Sequence, residues 1–328
     1  MPDSAHGEAH SISIACNLCG SFDAEPIRHH DRHGAPLRSV ICRRCGLVWT
    51  DPRPTPEKVR EFYERDYRLE YKRIWQPRPK HIYRAGKAAL ERFARLTAIL
   101  RPGVRLFDVG AGGGETVYVG RALGYQASGA EPNEGYAAYA SKELLVPVTK
   151  GTYQDAVVAA ESQDVVTMFH TVEHLEDPLG AMRSARRWLV PGGVLVVEIP
   201  SVEAVCQQPH QQFHRGHFYH FNLAALTQMG RRAGYEVSSS GASADGGNIW
   251  ATFIKSDETP AVAGEIPGNY DRVRRILQAH TALRHALSRY PYLRPLAKLS
   301  ARLVEARDLR QKKGARDILD TLVAASQR

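Results

Sequence analysis

Three groups of side chains in this 328-residue chain have the types and spacing that do chemistry. The first is a set of four cysteines in two CxxCG pairs, Cys16-Asn17-Leu18-Cys19-Gly20 and Cys42-Arg43-Arg44-Cys45-Gly46. Paired knuckles of this kind set four thiolates around tetrahedral zinc, with backbone N–H groups turned toward the sulfurs. Four reduced structural thiols or a redox pair are the other readings of that spacing, and His29, His30 and His33 lie between the pairs as rival ligands. The second group is a glycine-rich stretch, Asp108-Val109-Gly110-Ala111-Gly112-Gly113-Gly114-Glu115, followed by Gly129-Ala130-Glu131-Pro132. Glycines there let the backbone turn tightly and approach a ligand, at a helix N-terminus rich in free N–H groups. The third group is imidazole: His170 with Glu173 and His174, then His214, His217 and His220 inside Gln212–Asn222. Such side chains accept protons near neutral pH or hold metals.

The glycine stretch excludes two common ligands. A phosphate loop would need GxxxxGK[ST], and the dinucleotide fingerprint would need glycine at 115, where Glu115 stands. An acid at the strand tip, Asp108, suits a cationic ligand better than a pyrophosphate, and Glu131 can accept hydrogen bonds from both hydroxyls of a ribose. A glycine turn with a strand-capping acid and no ligand is the plainer alternative. For the histidines, the plainer alternatives are a structural Glu173-His174 turn and a polar lid packed by Phe213, Phe218 and Phe221.

Elements able to position these groups alternate along the middle of the chain. Strands are expected at 104–109, 126–131, 146–150, 165–169 and 194–199, with helices near 115–123, 134–144 and 178–189 between them. That alternation predicts a parallel sheet covered on both faces. A helix near 223–233 and an antiparallel hairpin, 235–239 with 248–255, close the sheet. The spacing also predicts a helix over about 57–73 carrying Tyr63, Tyr67 and Tyr71, and another over 83–100. After Ser256, two amphipathic stretches split near Pro291 and Pro295 carry Val273, Ile276, Leu277, Leu283 and Leu287, then Leu296, Leu299, Leu303 and Val304. Their expected fate is a helical hairpin packed on the rest of the chain.

Composition is that of an ordinary globular chain, 43% hydrophobic and 24% charged. No apolar run is long enough to span a bilayer and the N-terminus has no secretory pattern, so a cytoplasmic location is expected and metal is preferred over disulfides. The net charge of +9 is concentrated: Asp271–Arg328 holds fourteen basic and five acidic residues, and the preceding 270 residues balance. Any attraction to acidic partners belongs to that segment.

Four motifs in order, DVGAGGG (Asp108–Gly114), GAEP (Gly129–Pro132), DVVTMFHTVEHLEDP (Asp164–Pro178) and LVPGGVLVVEIP (Leu189–Pro200), resemble those of class I S-adenosylmethionine-dependent methyltransferases over about residues 85–255. The resemblance implies an α/β fold: a doubly wound, Rossmann-like, seven-stranded sheet, mostly parallel with an antiparallel last strand. It implies that Asp108, Gly110, Ala111 and Gly112 line the methionine part of the cofactor, that Glu131 with Pro132 holds the ribose, and that Gln154 reaches the adenine. His170, at the fourth strand's end, belongs to the same cofactor set.

Transfer to a hydroxyl needs an aligned acceptor and a proton acceptor, for which His170, His217 and His220 are the candidates. Some ubiquinone-pathway and small-RNA methyltransferases use Glu-His at this place to hold a metal. In the RNA enzymes an acid stands three positions earlier, where this chain has His170, so a metal held by Glu173 and His174 is the minority expectation. The N-terminal arrangement, CxxCG then CxxCGLVWTDPRP and a Tyr-rich helix, is similar to a bacterial group of methyltransferases of surface-glycan and secondary-metabolite pathways. That similarity implies structural zinc on Cys16, Cys19, Cys42 and Cys45 and a small-molecule or glycan acceptor. The expected divisions are a zinc-ribbon-like module at 1–50, a helical linker or cap at 51–100 whose Tyr63, Tyr67 and Tyr71 either cover the cofactor or pack the linker helix, the methyltransferase domain at 101–256 and a basic helical extension at 257–328. The extension's charge would recruit a phosphorylated or lipid-linked acceptor, peripherally at the inner membrane surface. Nucleic acid is not the expected partner. An RNA methyltransferase that uses the zinc module as a platform and a catalytically silent scaffold are the alternatives.

Overall fold

The computed structural model describes residues 11–61, 76–257, 262–312 and 314–327. In chain order its strands are β1 (Ser11–Ile12), β2 (Ala24–His30), β3 (Pro36–Cys42), β4 (Val48–Thr50), β5 (Arg53–Pro54), β6 (Arg105–Val109), β7 (Gln126–Glu131), β8 (Val148–Lys150), β9 (Gln163–Phe169), β10 (Leu189–Pro200), β11 (Tyr219–His220), β12 (Tyr235–Ala242) and β13 (Asn248–Lys255). A seven-stranded sheet has the order β12-β13-β10-β9-β6-β7-β8. Within it β6 pairs in parallel with β7 and β9, β7 with β8, and β12 pairs antiparallel with β13. The chain falls into two compact units, Met1–Phe62 with Phe169–Arg186 and Leu195–Tyr292, and Tyr63–Met168 with Arg187–Val194 and Leu293–Arg328.

In the second unit, Leu106, Phe107, Asp108 and Val109 of β6 are all buried, as a parallel strand covered on both faces requires. At its start Arg105 forms a two-pronged pair with Asp164 of β9, at 2.9 and 2.7 Å. The helix Pro79–Arg95 buries Ile82, Tyr83, Ala89 and Phe93, and Phe93 meets Tyr125 edge-on. Gly86 lets that helix approach Leu319 of the helix Ala315–Ser326; a Cβ there would lie 2.5 Å from the leucine.

The first unit holds a four-stranded antiparallel sheet in the order β11-β4-β3-β2, with β1 and β5 forming a separate two-stranded ribbon. Its core joins Ile41 and Val48 to Val202, Phe213 and Val273. The strand β11 is short: Tyr219 faces Trp49 and His220 faces Val48. Asn269, at the head of the helix Asn269–Ala279, donates to the Cys45 carbonyl at 2.8 Å and is itself hydrogen-bonded to Asn222.

Several elements differ from the sequence expectation. Strand β10 begins at Leu189, not near 194, because Pro191 and Gly192 lie at its exposed start, where a missing N–H and a φ of +70° are tolerated. Of the helix expected over 57–73, Pro56–Glu61 is described, and Tyr63, Tyr67 and Tyr71 lie outside the described residues. Among the described residues beyond 262 there are four helices rather than two stretches: Asn269–Ala279, Ala282–Ala286, Tyr290–Leu309 and Ala315–Ser326. Pro291 falls in a first turn, where its missing N–H has no partner to lose, so the breaks come at Thr281 and near Arg289 instead. The expected packing of Leu296, Leu299, Leu303 and Val304 is not found, for all four are exposed. Among the described residues no helix is long and apolar enough to cross a membrane.

Candidate active site

Residues of the glycine loop come together around two buried acids. Asp108, at the end of β6, accepts a 2.6 Å hydrogen bond from the Thr167 hydroxyl on neighbouring β9. Its carboxyl is pushed up to about 7, because burial disfavours the charged form more strongly than the Thr167 hydrogen bond favours it. Glu131, ending β7, accepts from Gly112 N at 2.8 Å and from Asn133 N at 3.0 Å, so it ties the loop to the next helix start. Gly110 and Ala111 both donate to the Ala130 carbonyl at 2.9 Å. Gly110, Gly112 and Gly114 have φ of 76°, 58° and 85°, a region that other residues enter at a cost. Gly129 permits β7 to lie close to β6, since a Cβ there would meet the Asp108 carbonyl at 2.6 Å. Pro132 is half-buried beside Glu131, and Gln154 is exposed in a turn closed by Thr152 and Asp155 after β8.

Three residues after Thr167 in the chain, His170 has a φ of +52°. Positive φ in a residue bearing a Cβ is strained, and such strain concentrates at functional positions. The His170 amide donates to the Glu198 carbonyl at 2.8 Å. Its side chain remains 40% exposed, with Nδ1 3.5 Å from Glu173 Oε1 and Nε2 3.8 Å from Glu198 Oε1. Glu173 is 2% exposed, and neither of its carboxylate oxygens has a hydrogen bond.

Behind Glu173 the other imidazoles form a stack. Ring centroids lie 4.7 Å apart for His174 and His217, 3.7 Å for His214 and His217, and 6.0 Å for His217 and His220. His174 donates from Nδ1 to the Gly216 carbonyl, which leaves Nε2 facing Glu173 Oε1 at 3.9 Å. Burial is the main cause that lowers three of these groups: His214 to about 2, His220 to about 4, and His217 well below its ordinary value. The three rings are therefore neutral at pH 7. Backbone bonds hold the stack against the cysteine-bearing sheet, Thr50 N to the Phe218 carbonyl at 2.9 Å and Arg32 N to the Phe213 carbonyl at 2.8 Å.

The four cysteines converge as well. Cys16 and Cys45 sulfurs are 3.4 Å apart, as are those of Cys19 and Cys42, and all four lie within 4.8 Å of one another. Arg43 and Arg44, the module's basic pair, are committed to acids: Arg43 to Glu25 at 2.8 Å and Arg44 to Glu265.

Sequence reasoning missed Thr167, Glu198 and Asn133. Thr167 is a polar residue inside the otherwise apolar run Val165–Phe169, a signal that was available. Asn133 caps the helix Glu134–Lys142 by accepting from Tyr136 N, a capping pattern that its position directly before the helix also advertises.

Comparison with known proteins agrees with this geometry. Residues 60–240 match the family described as "Methyltransferase domain". A ubiquinone biosynthesis O-methyltransferase of Cereibacter sphaeroides is 35% identical over 99 residues, 29% of this chain and 40% of that protein, so the match spans less than half of the relative's length. Among solved structures, magnesium protoporphyrin IX methyltransferase from Synechocystis, with bound S-adenosylhomocysteine, is 14% identical with a TM-score of 0.50, covering 62% of this chain and all of that one. A methyltransferase from Thermotoga maritima is 24% identical with a TM-score of 0.46, covering 60% of this chain and all of that one. The chain belongs to the methyltransferase-domain family and is an enzyme with a Rossmann-like fold.

Proposed function

We propose that this enzyme methylates a hydroxyl oxygen of a sugar, glycan or other small metabolite, with His170 as the proton acceptor. The carrying observation is the strained, half-exposed His170 between two carboxylates, Glu173 and Glu198. Bound S-adenosylmethionine supplies a methyl group activated by its sulfonium. When bound, the cofactor would be held by Asp108, Gly110, Ala111 and Gly112 at its methionine part, by Glu131 and Pro132 at its ribose and by Gln154 at its adenine, with His170 a further member of the set. The acceptor hydroxyl gives its proton to a ring nitrogen of His170, and the two carboxylates stabilise the imidazolium that forms. His217 and His220, expected candidates for the same role, are neutral rings in the buried stack and serve to wall the acceptor side. Relatives named for O-methylation support oxygen as the target. The basic segment 271–328 supports an acceptor that is phosphorylated or lipid-linked. Neutralised Arg43 and Arg44 argue against a nucleic-acid platform.

The test is release of S-adenosylhomocysteine on a panel of nucleotide-linked and lipid-linked sugars and phenols, with wild type and His170→Gln. The variant should lose about 100-fold or more in turnover. Methylation confined to amine acceptors, or an undiminished His170→Gln rate, would refute the reading.

Cys16, Cys19, Cys42 and Cys45 fit structural zinc. Tetrahedral ligation at about 2.3 Å sets sulfurs about 3.8 Å apart, close to the 3.4 Å pairs here. A second metal reading rests on the buried Glu173 carboxylate, whose oxygens accept no hydrogen bond. With one nitrogen each of His174 and His217, its ligand atoms lie within 4.8 Å of one another. The Gly216 carbonyl fixes the His174 tautomer as the outer partner of a metal-bound imidazole does. Two nitrogens and one carboxylate favour a transition metal over magnesium. Native mass spectrometry distinguishes the cases: one bound metal supports the cysteine site alone, and a second, lost in Glu173→Gln, supports both.

A further inference from the structure

Five large apolar side chains on the helix Tyr290–Leu309 are exposed. Leu293, Leu296, Leu299, Leu303 and Val304 are 56, 64, 55, 66 and 41% exposed. With about 3.6 residues per turn they form one stripe about 140° wide. The opposite side of the helix is the side that packs. Asp308 accepts a 2.6 Å hydrogen bond from the Tyr83 hydroxyl, and Glu305 pairs with Arg84, both on the helix Pro79–Arg95. Glu305 lies across the helix from the stripe, and Asp308, beside its Val304 edge, also meets Arg307 at 3.1 Å. Arg302 borders the stripe on its other edge, and Arg307 and Arg310 continue it past Val304; all three cations are exposed.

We propose that this face docks on an anionic lipid surface. An apolar stripe bordered by Arg302, Arg307 and Arg310, in a segment with fourteen basic and five acidic residues, supplies the two signals that reversible membrane attachment needs, apolar insertion and attraction to acidic headgroups. Charge decides against a second copy as the occupant. A two-fold contact through this stripe would bring Arg302 and Arg310 of both copies together with no uncommitted acid of this helix to meet them, because Glu305 pairs with Arg84 and Asp308 with Tyr83 and Arg307. Anionic headgroups neutralise the same cations. The inference goes beyond the transfer reaction and does not depend on which acceptor is methylated.

The full chain is tested by co-sedimentation with vesicles of phosphatidylcholine alone and of phosphatidylcholine mixed with phosphatidylglycerol. Binding to the mixed vesicles should exceed binding to the neutral ones by about tenfold or more and fall as salt is raised. The triple variant Leu296→Ser/Leu299→Ser/Leu303→Ser should lose at least about tenfold in partitioning, and Arg302→Glu/Arg310→Glu should lose the preference for phosphatidylglycerol. A variant that keeps the full fold serves if the triple change lowers the thermal transition: Leu299→Trp, whose fluorescence should be quenched by brominated phosphatidylglycerol. The proposal is overturned if wild type ignores anionic vesicles, if the triple variant folds and binds like wild type, or if the Leu299→Trp signal is unquenched. Light scattering that shows a wild-type dimer dispersed by the triple change, without vesicle binding, would assign the face to a second copy instead.

Discussion

Replacing Asp108 with asparagine removes a carboxyl that its surroundings keep protonated to about pH 7, against an ordinary value of 3.8. In the unfolded chain that group ionises near its ordinary value. Between those two points the unfolded state therefore holds fewer protons than the folded one, and stability falls as pH rises through the window. The gap is about three pH units, each equivalent to about 1.4 kcal/mol, so Asp108 costs the unliganded fold about 4 kcal/mol above pH 7 and almost nothing at pH 4. Asparagine has the same shape and keeps an oxygen for the Thr167 hydroxyl. Asp108→Asn should thus melt close to wild type at pH 4 and about 10 °C higher at pH 8 without ligand. A cationic ligand beside Asp108 reverses the balance, since it favours the ionised form. S-adenosylmethionine affinity of wild type should climb by up to about tenfold per pH unit from pH 5 and level off near 7, while the variant binds weakly at every pH. Thermal melts at the two pH values and titration calorimetry across the range measure both effects. A variant no more stable than wild type at pH 8, or wild-type affinity independent of pH, would show that burial does not govern this carboxyl.

Glu131→Ala strands the Gly112 and Asn133 amides, so it should lower S-adenosylmethionine affinity by about tenfold or more and cost about 1–3 kcal/mol of stability by denaturant titration. Cys19→Ser should abolish bound zinc in native mass spectra and lower stability by on the order of 5 kcal/mol, an effect that a chelator reproduces on wild type. Gly230→Ala drives a methyl into the Phe253 ring, where the helix Leu223–Arg232 crosses β13, and should cost about 1–3 kcal/mol with donor affinity unchanged.

The parallel strands were legible because each is a short apolar run next to a helical pattern, and the glycine loop because its acid and turns are contiguous. Such signals are local. What the sequence concealed depends on partners distant in the chain. Tyr219–His220 is too short to show periodicity, so nothing in the run of histidines announces its pairing with Val48–Trp49. Glu198 reads as one acid in an apolar strand, and its place beside His170 follows only from the folded backbone. Leu296, Leu299 and Leu303 carry the spacing of a packed helix; the same periodicity describes a stripe facing its own core and one facing outward. For the imidazoles, the order of the residues could gather them at one end of the sheet but could not tell His170, strained and accessible, from the neutral stack.

Strand β11 has a consequence for recombination among such enzymes. The loop that carries His214 and His217 runs into Tyr219–His220, the edge strand of the sheet built by the cysteine knuckles, with two residue pairs in register. A chimera that exchanged residues 16–54 alone would leave this edge facing a foreign strand, and one that exchanged 212–222 alone would leave the foreign knuckles unmatched. The two segments form a single inheritable cassette, although more than 150 residues separate them in the chain. Substrate preference in such a cassette would travel with its cysteine knuckles.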